Sequence, residues 1–119
     1  DELKFRNKVA QYYSDSINND FIKPFIPKDY TSSWAQYSLI AKSKEHRDDV
    51  MSRLKEHGIP SMIYYKIPMH LQEVFHHLNY KQNDFLISEK TSSQIFSLPM
   101  HPYLKQSEQE KIVEVVNSQ

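Results

Sequence analysis

Apolar residues recur at helical spacing near the start of the chain. Leu3, Val9, Ala10, Tyr13 and Ile17 fall mostly on one face, which predicts a helix over residues 2–18. Two asparagines, Pro24 and Pro27 mark residues 18–33 as a connection. Phe21, Ile22, Phe25 and Ile26 make it an anchored one. From Trp34 to Lys42, Ala35, Tyr37, Leu39 and Ala41 alternate with Gln36, Ser38 and Lys42, the pattern of a strand. Trp34 and Ile40 break the alternation, so the second face is partly covered as well. A helix over Arg47–His57 follows, with Val50, Met51 and Leu54 as its apolar stripe. Asp48 and Asp49 sit near its predicted start, where the helix dipole favours negative charge. Gly58 stands where a helix turns out through a left-handed residue. Ile59–Tyr65 reads as a second strand ended by Pro68, Leu71–Leu78 as a short helix, and Ser88–Phe96 as a further helix leading into a short third strand, Ser97–Pro99. Ser107–Val116 is a final helix, with Ser107 and Glu110 in S-x-x-E capping-box spacing and Ile112, Val113 and Val116 on its apolar face.

This order, without internal repeats or low-complexity tracts, predicts an α+β fold: a small antiparallel or mixed sheet of about three strands with helices packed on one face, in a single domain over residues 1–119. At 119 residues the chain buries one modest core, roughly two-thirds of its unfolded surface. A hydrophobic content of 39% with 13% aromatic residues belongs to a globular rather than a disordered chain. The mean hydropathy of -0.71 requires a very polar surface around that core.

Charge and composition then narrow the function. Lys plus Arg and Asp plus Glu are 15 each, so the basic excess that a nucleic-acid partner calls for is missing. No apolar run approaches the roughly 20 residues that span a bilayer, and no signal-peptide pattern stands at the N-terminus. With no cysteine, neither disulfides nor thiolate metal sites are available, and a cytoplasmic protein is the expectation. His76 and His77 are adjacent and diverge by roughly 100° on a helix, and His101 lies far from any carboxylate pattern, so no metal site is expected. Glu108, Glu110 and Glu114 read as a solvated helix face, and Leu98-Pro99-Met100-His101-Pro102 as structural. The chain opens Asp1-Glu2-Leu3 without an initiator Met and holds one glycine, so it has no Gly-rich phosphate loop; both features suggest part of a larger protein.

Four segments carry a family resemblance. Trp34-Ala35-Gln36-Tyr37 resembles a W-A-Q-Y strand, and Arg47-Asp48 followed by Leu54 and Gly58-Ile59-Pro60 resembles an R-D…L…G-I-P unit. Tyr64-Tyr65, Pro68, His70, Leu71 and Gln72 resemble Y-Y-P-x-P-L-H-L-Q, and Glu89 with Ser97-Leu98-Pro99-Met100-His101-Pro102 resembles E…S-L-P-M-H-P. In order and spacing they are similar to the C-terminal domain of the DegT/DnrJ-type sugar aminotransferases, fold-type I enzymes that use pyridoxal phosphate.

The resemblance implies a parent enzyme that moves an amino group from an amino acid, commonly glutamate, to a nucleotide-linked keto-sugar in cell-surface polysaccharide or amino-sugar biosynthesis. It implies a homodimer, with residues 1–18 leading in from a large domain. That domain carries the cofactor lysine, so no catalytic or cofactor-binding residue is expected in this chain, and alone it is expected to be inactive and not to bind pyridoxal phosphate. The expected substrate-binding residues are Tyr64, Tyr65, Lys66 and His70, with at most one tyrosine facing ligand if the segment is a regular strand. For His70, the residues alone favour a turn histidine bonded to backbone. The sequence departs from the pattern at Lys66, where proline is usual, and at Met69, where leucine is usual. The W-A-Q-Y and Y-Y forms are closest to members acting on 3-oxo sugars, including uronic acids. Two alternatives stand beside this reading: a related sugar dehydratase, and a free-standing binding or scaffold module. A detached domain is expected to expose an apolar patch and to self-associate.

Overall fold

Tyr37, Leu39, Phe96 and Leu98 fall on one side of a two-stranded antiparallel ladder in the computed structural model, which describes residues 1–119. Strand β1 (Tyr37–Ile40) pairs with β2 (Ile95–Leu98) in the register Tyr37↔Leu98 and Leu39↔Phe96, and these four side chains are buried. On the opposite side, the Ser38 and Ser97 hydroxyls meet at 2.7 Å. Three helices, α1 (Glu2–Ser16), α2 (Lys44–Glu56) and α4 (Gln106–Asn117), share one core with the apolar face of the ladder. A shorter helix, α3 (Leu86–Gln94), runs directly into β2.

Helix α1 buries Val9, Ala10 and Tyr13, with Ile17 just beyond its end. It stops at Ser16 because Ile17 turns extended. Asn117 then closes the end from α4: its Nδ2 donates to the Ser16 carbonyl and its Oδ1 accepts the Asn18 N–H, both at 2.9 Å. The Tyr13 hydroxyl donates to the Pro99 carbonyl at 2.9 Å, and its ring packs against Tyr37 at 5.0 Å.

Strand β1 is shorter than the alternation predicts. Trp34 adopts a left-handed φ of 51°, which no strand tolerates, and its N–H is taken by Ser32 Oγ at 3.1 Å. The indole donates to Asn7 Oδ1 at 3.0 Å and the Trp34 carbonyl accepts from Arg6 at 3.1 Å, so the kink is tied to α1.

The predicted second strand, Ile59–Tyr65, also contracts, to a single bridge between Met62 and Ser97. Pro60 and Pro68 bracket the segment, and a proline has no N–H to give a ladder. A matching bridge, Ile22 with Ile40, sits on the outer edge of β1. The expected sheet is therefore two full strands with one isolated bridge on each edge.

Two helix starts also differ from expectation. Helix α2 begins at Lys44, because Ser43 Oγ accepts the His46 N–H at 3.0 Å and makes Ser43 the cap. Asp48 and Asp49 therefore lie in the second turn, where they pair with Lys44 and Arg47, and with Arg53. Helix α4 is preceded by Lys105, whose N–H donates to Glu108 Oε2 at 2.8 Å, so Ser107 lies inside the helix rather than at its cap. Residues 71–78 form not one short helix but part of two 3₁₀ turns, Met69–Leu71 and Glu73–Leu78. The helix expected over Ser88–Phe96 is α3, shifted toward the N-terminus, and Phe96 belongs to β2.

Gly58 has φ 70° and nothing within 4 Å of the position a Cβ would take. Gly58→Ala is therefore expected to destabilise by about 1 kcal/mol from backbone strain alone, without a steric clash, read as a lower urea midpoint at unchanged slope.

Candidate substrate-facing site

From Pro60 to Ser93 the chain buries one side chain, that of His70. The rest is exposed or half-buried, with Ile63 packed against the core. This segment holds Met62, Tyr64, Tyr65, Ile67, Met69, Val74, Leu78, Tyr80, Phe85, Leu86 and Ile87, eleven of the protein's eighteen exposed large apolar side chains.

Within it, Tyr64, Tyr65 and Lys66 come together on one wall of an open groove of about 640 Å³, with Gln72, Glu73 and His76 among the residues facing them. Tyr64 is 50% and Tyr65 74% exposed. The segment is not a strand beyond Met62, so the rule that alternate residues face opposite ways does not apply, and both rings are open to a ligand. The run is suspended between the Met62–Ser97 bridge and Pro68, whose carbonyl accepts the Leu71 N–H at 3.0 Å.

His70 is placed apart from that wall. Its ring packs on Phe85 at 4.8 Å, and Nε2 lies 3.3 Å from Glu89 Oε2. It faces a carboxylate neighbour and makes no hydrogen bond to backbone, which departs from the turn-histidine expectation. The two atoms are close but not aligned as a full hydrogen bond. His70 also borders a second, apolar groove of about 330 Å³ with Phe75, Leu78, Tyr80 and Phe85.

Glu89 collects the segment. It accepts the Asn83 N–H at 2.9 Å and the Phe85 N–H at 3.3 Å, besides facing His70. The Asn83 N–H is the main reason its carboxyl titrates below its ordinary value of 4.5; the Phe85 N–H and His70 add to it. The folded state thus binds this proton more weakly than the unfolded state. The stability it adds is full above the ordinary value and is lost as pH falls through the lower folded value. Amide shifts of Asn83 and Phe85 are expected to move together in that acid range, and Glu89→Gln is expected to abolish the transition.

Sequence reasoning missed the reach of Arg47. It is buried, with Nε on Asp48 Oδ1 at 2.9 Å and NH1 on the Ser92 carbonyl at 3.1 Å, so α2 holds α3. Gln94 Nε2 adds a bond to the Lys42 carbonyl at 2.9 Å. The Arg-Asp pair was visible in the sequence, but nothing local marked it as buried.

The remaining titratable clusters are structural. Burial, its largest cause, raises the Tyr13 hydroxyl far above its usual range, and Tyr37 is raised for the same reason. The Tyr37 hydroxyl meets Ser14 Oγ at 2.9 Å. No three His, Asp or Glu side chains converge as a metal site would require, and no helix is long and apolar enough to cross a membrane.

These features define a class: an α+β module that presents a tyrosine–lysine wall and a broad apolar face. The chain belongs to the DegT/DnrJ/EryC1/StrS aminotransferase family, whose model matches residues 1–117. It is 34% identical over 118 residues to a dTDP-3-amino-3,6-dideoxy-alpha-D-galactopyranose transaminase of Aneurinibacillus thermoaerophilus, covering 98% of this chain and 31% of the relative. It is 34% identical over 105 residues to the UDP-2-acetamido-2-deoxy-3-oxo-D-glucuronate aminotransferase of Pseudomonas aeruginosa, covering 87% of this chain and 28% of the relative. The crystal structure of a DegT DnrJ EryC1 StrS aminotransferase from Brucella abortus superposes with a TM-score of 0.86 at 38% identity, over 97% of this chain and 30% of that one. The chain thus spans about a third of the length of these relatives.

Pyridoxal phosphate needs a Schiff-base lysine, a phosphate cradle and an acidic partner converging on one cavity. The residues present do not fit that group. Gly58, the single glycine, leads out of α2 instead of fronting a helix N-terminus. Lys23, Lys42 and Lys44 are engaged with the Ser14 carbonyl, Asp20 and Asp48, and the groove that Lys66 lines has no glycine to cradle a phosphate.

Proposed function

We propose that this chain is the C-terminal small domain of a pyridoxal-phosphate-dependent, homodimeric aminotransferase that transfers an amino group, with glutamate as donor, to a nucleotide-linked 3-oxo sugar in cell-surface polysaccharide or amino-sugar biosynthesis. The observation that carries the reading is the Tyr64-Tyr65-Lys66 run, exposed along an open groove in the segment that holds most of the exposed large apolar side chains. The two relatives are named for a 3-amino or a 3-oxo nucleotide sugar, which favours the 3-oxo position. In this reading, α1 leads in from the large domain, which supplies the cofactor lysine and all covalent chemistry. The apolar face of residues 62–87 is covered by that domain or by the second protomer.

The chain's own residues then act as a substrate-side wall. A tyrosine ring offers apolar surface to a sugar or base, and its hydroxyl both donates and accepts hydrogen bonds. The Lys66 ammonium offers a point charge to a substrate anion, whether diphosphate or uronate carboxylate. The covering apolar surface keeps water from the bound sugar. His70, being buried against Glu89, is not assigned a substrate contact.

The test uses the full-length protein with pyridoxal phosphate, glutamate and UDP- or dTDP-linked 3-oxo sugars, following 2-oxoglutarate and the amino sugar by mass spectrometry. Turnover is expected, with Lys66→Ala raising KM for the sugar nucleotide about tenfold, the effect of one charged contact, and leaving kcat little changed. A dehydrated sugar with no amino transfer would instead identify the dehydratase relatives. No reaction with any nucleotide sugar would leave a binding or scaffold role.

A further inference from the structure

We propose that His70, paired through Nε2 with the Glu89 carboxylate, is the positioning residue that sets where the Tyr64–Lys66 run stands. Ile63 packs against the core just before the run, and beyond the run the one buried side chain of the segment is His70. The Met62–Ser97 bridge and the packing of Ile63 hold only its near end, so the far end depends on His70.

A continuous set of contacts leads from the core to the run. Arg47, buried on α2, donates to the Ser92 carbonyl of α3, and Gln94 ties the end of α3 to the Lys42 carbonyl. At the start of α3, Glu89 is held by the N–H groups of Asn83 and Phe85. Its Oε2 lies 3.3 Å from His70 Nε2, and Phe85 packs against the His70 ring. From His70 the path back to the run is short and stiff. Leu71 N–H donates to the Pro68 carbonyl at 3.0 Å, and Gln72 Nε2 donates to the Ile67 carbonyl at 3.1 Å. Proline fixes its own φ, so displacement of His70 is transmitted to Lys66 rather than absorbed.

The apolar neighbours do not supply this anchor themselves. Met69 and Leu78, which border the same groove, are at least half exposed, and Phe85 is 43% exposed. The carboxylate of Glu89 accepts only, so the pairing requires a donor at the place of Nε2.

The experiment separates donor from ring. His70→Phe keeps a ring against Phe85 but removes the donor, and His70→Gln restores a donor of similar reach. Hydrogen exchange by mass spectrometry in the full-length protein is expected to speed several-fold in peptides covering residues 61–72 in His70→Phe. Peptides of β1 and α2 should be unchanged, and His70→Gln should return most of the protection. Unchanged exchange in His70→Phe would show that ring packing alone holds the segment and would overturn the pairing. The functional half rests on the proposed aminotransferase reading: KM for the sugar nucleotide is expected to rise in His70→Phe with kcat nearly constant, and to recover in His70→Gln. Faster exchange with unchanged KM would overturn the positioning role. A wild-type protein without turnover would sink the aminotransferase reading, while the exchange data still decide the pairing.

Discussion

Phe96→Ala is expected to cost about 3–5 kcal/mol of unfolding free energy, the largest effect of any single truncation considered for this chain. Phe96 is fully buried on the apolar face of β2, opposite Leu39, with Phe21 edge-on at 6.0 Å. It is the point where the connection after α1, the ladder and the helical layer meet, and all three lose contacts at once. A domain of this size has roughly 5–15 kcal/mol in total, so the variant is near the limit of folding. Chemical denaturation of the conservative Phe96→Leu beside it is the measurement. It should lose well under half as much, because most of the volume is kept. Equal losses in the two variants would show that β2 is not the centre of the core.

The second large effect is an asymmetry between two partners. Asp48→Ala is expected to destabilise by about 1.5–3 kcal/mol, because it leaves the buried Arg47 guanidinium with only the Ser92 carbonyl. Arg47→Met, which removes the charge but keeps the stem, is expected to change stability by no more than about 1 kcal/mol in either direction. Asp48 is itself 45% exposed and stays solvated when Arg47 is gone. Urea midpoints of both variants decide the matter; a larger loss for Arg47→Met than for Asp48→Ala would contradict the burial argument. Since Arg47 holds α3 and α3 carries Glu89, Asp48→Ala is also expected to loosen the segment around His70.

The sheet shows most clearly where sequence patterns stopped. Alternation over Trp34–Lys42 identified a strand, but its length was set by the left-handed Trp34, which is held by Asn7, Arg6 and Ser32. Alternation was never strong in Ile59–Tyr65, and the prolines around it limit pairing to Met62. The helix starts failed differently. Ser43 and Glu108 use ordinary capping chemistry that was present in the sequence, whereas the start of α2 was read from the dipole preference of Asp48 and Asp49 and that of α4 from a capping box at Ser107. The wall residues Tyr64, Tyr65 and Lys66 were legible only through resemblance, since no periodicity distinguishes exposed tyrosines from core ones.

By itself, the sequence determined α1, α2 and α4, the left-handed turn at Gly58, the α+β class and the family, because apolar spacing, an isolated glycine and motif order are local properties written residue by residue. Only the tertiary structure decided that His70 and Arg47 are buried, that Tyr64 and Tyr65 both face outward, and that Glu89 gathers the segment between them. Those outcomes depend on partners distant in the chain. Burial of a polar side chain is favourable only where such a partner replaces water, and no local pattern specifies that meeting.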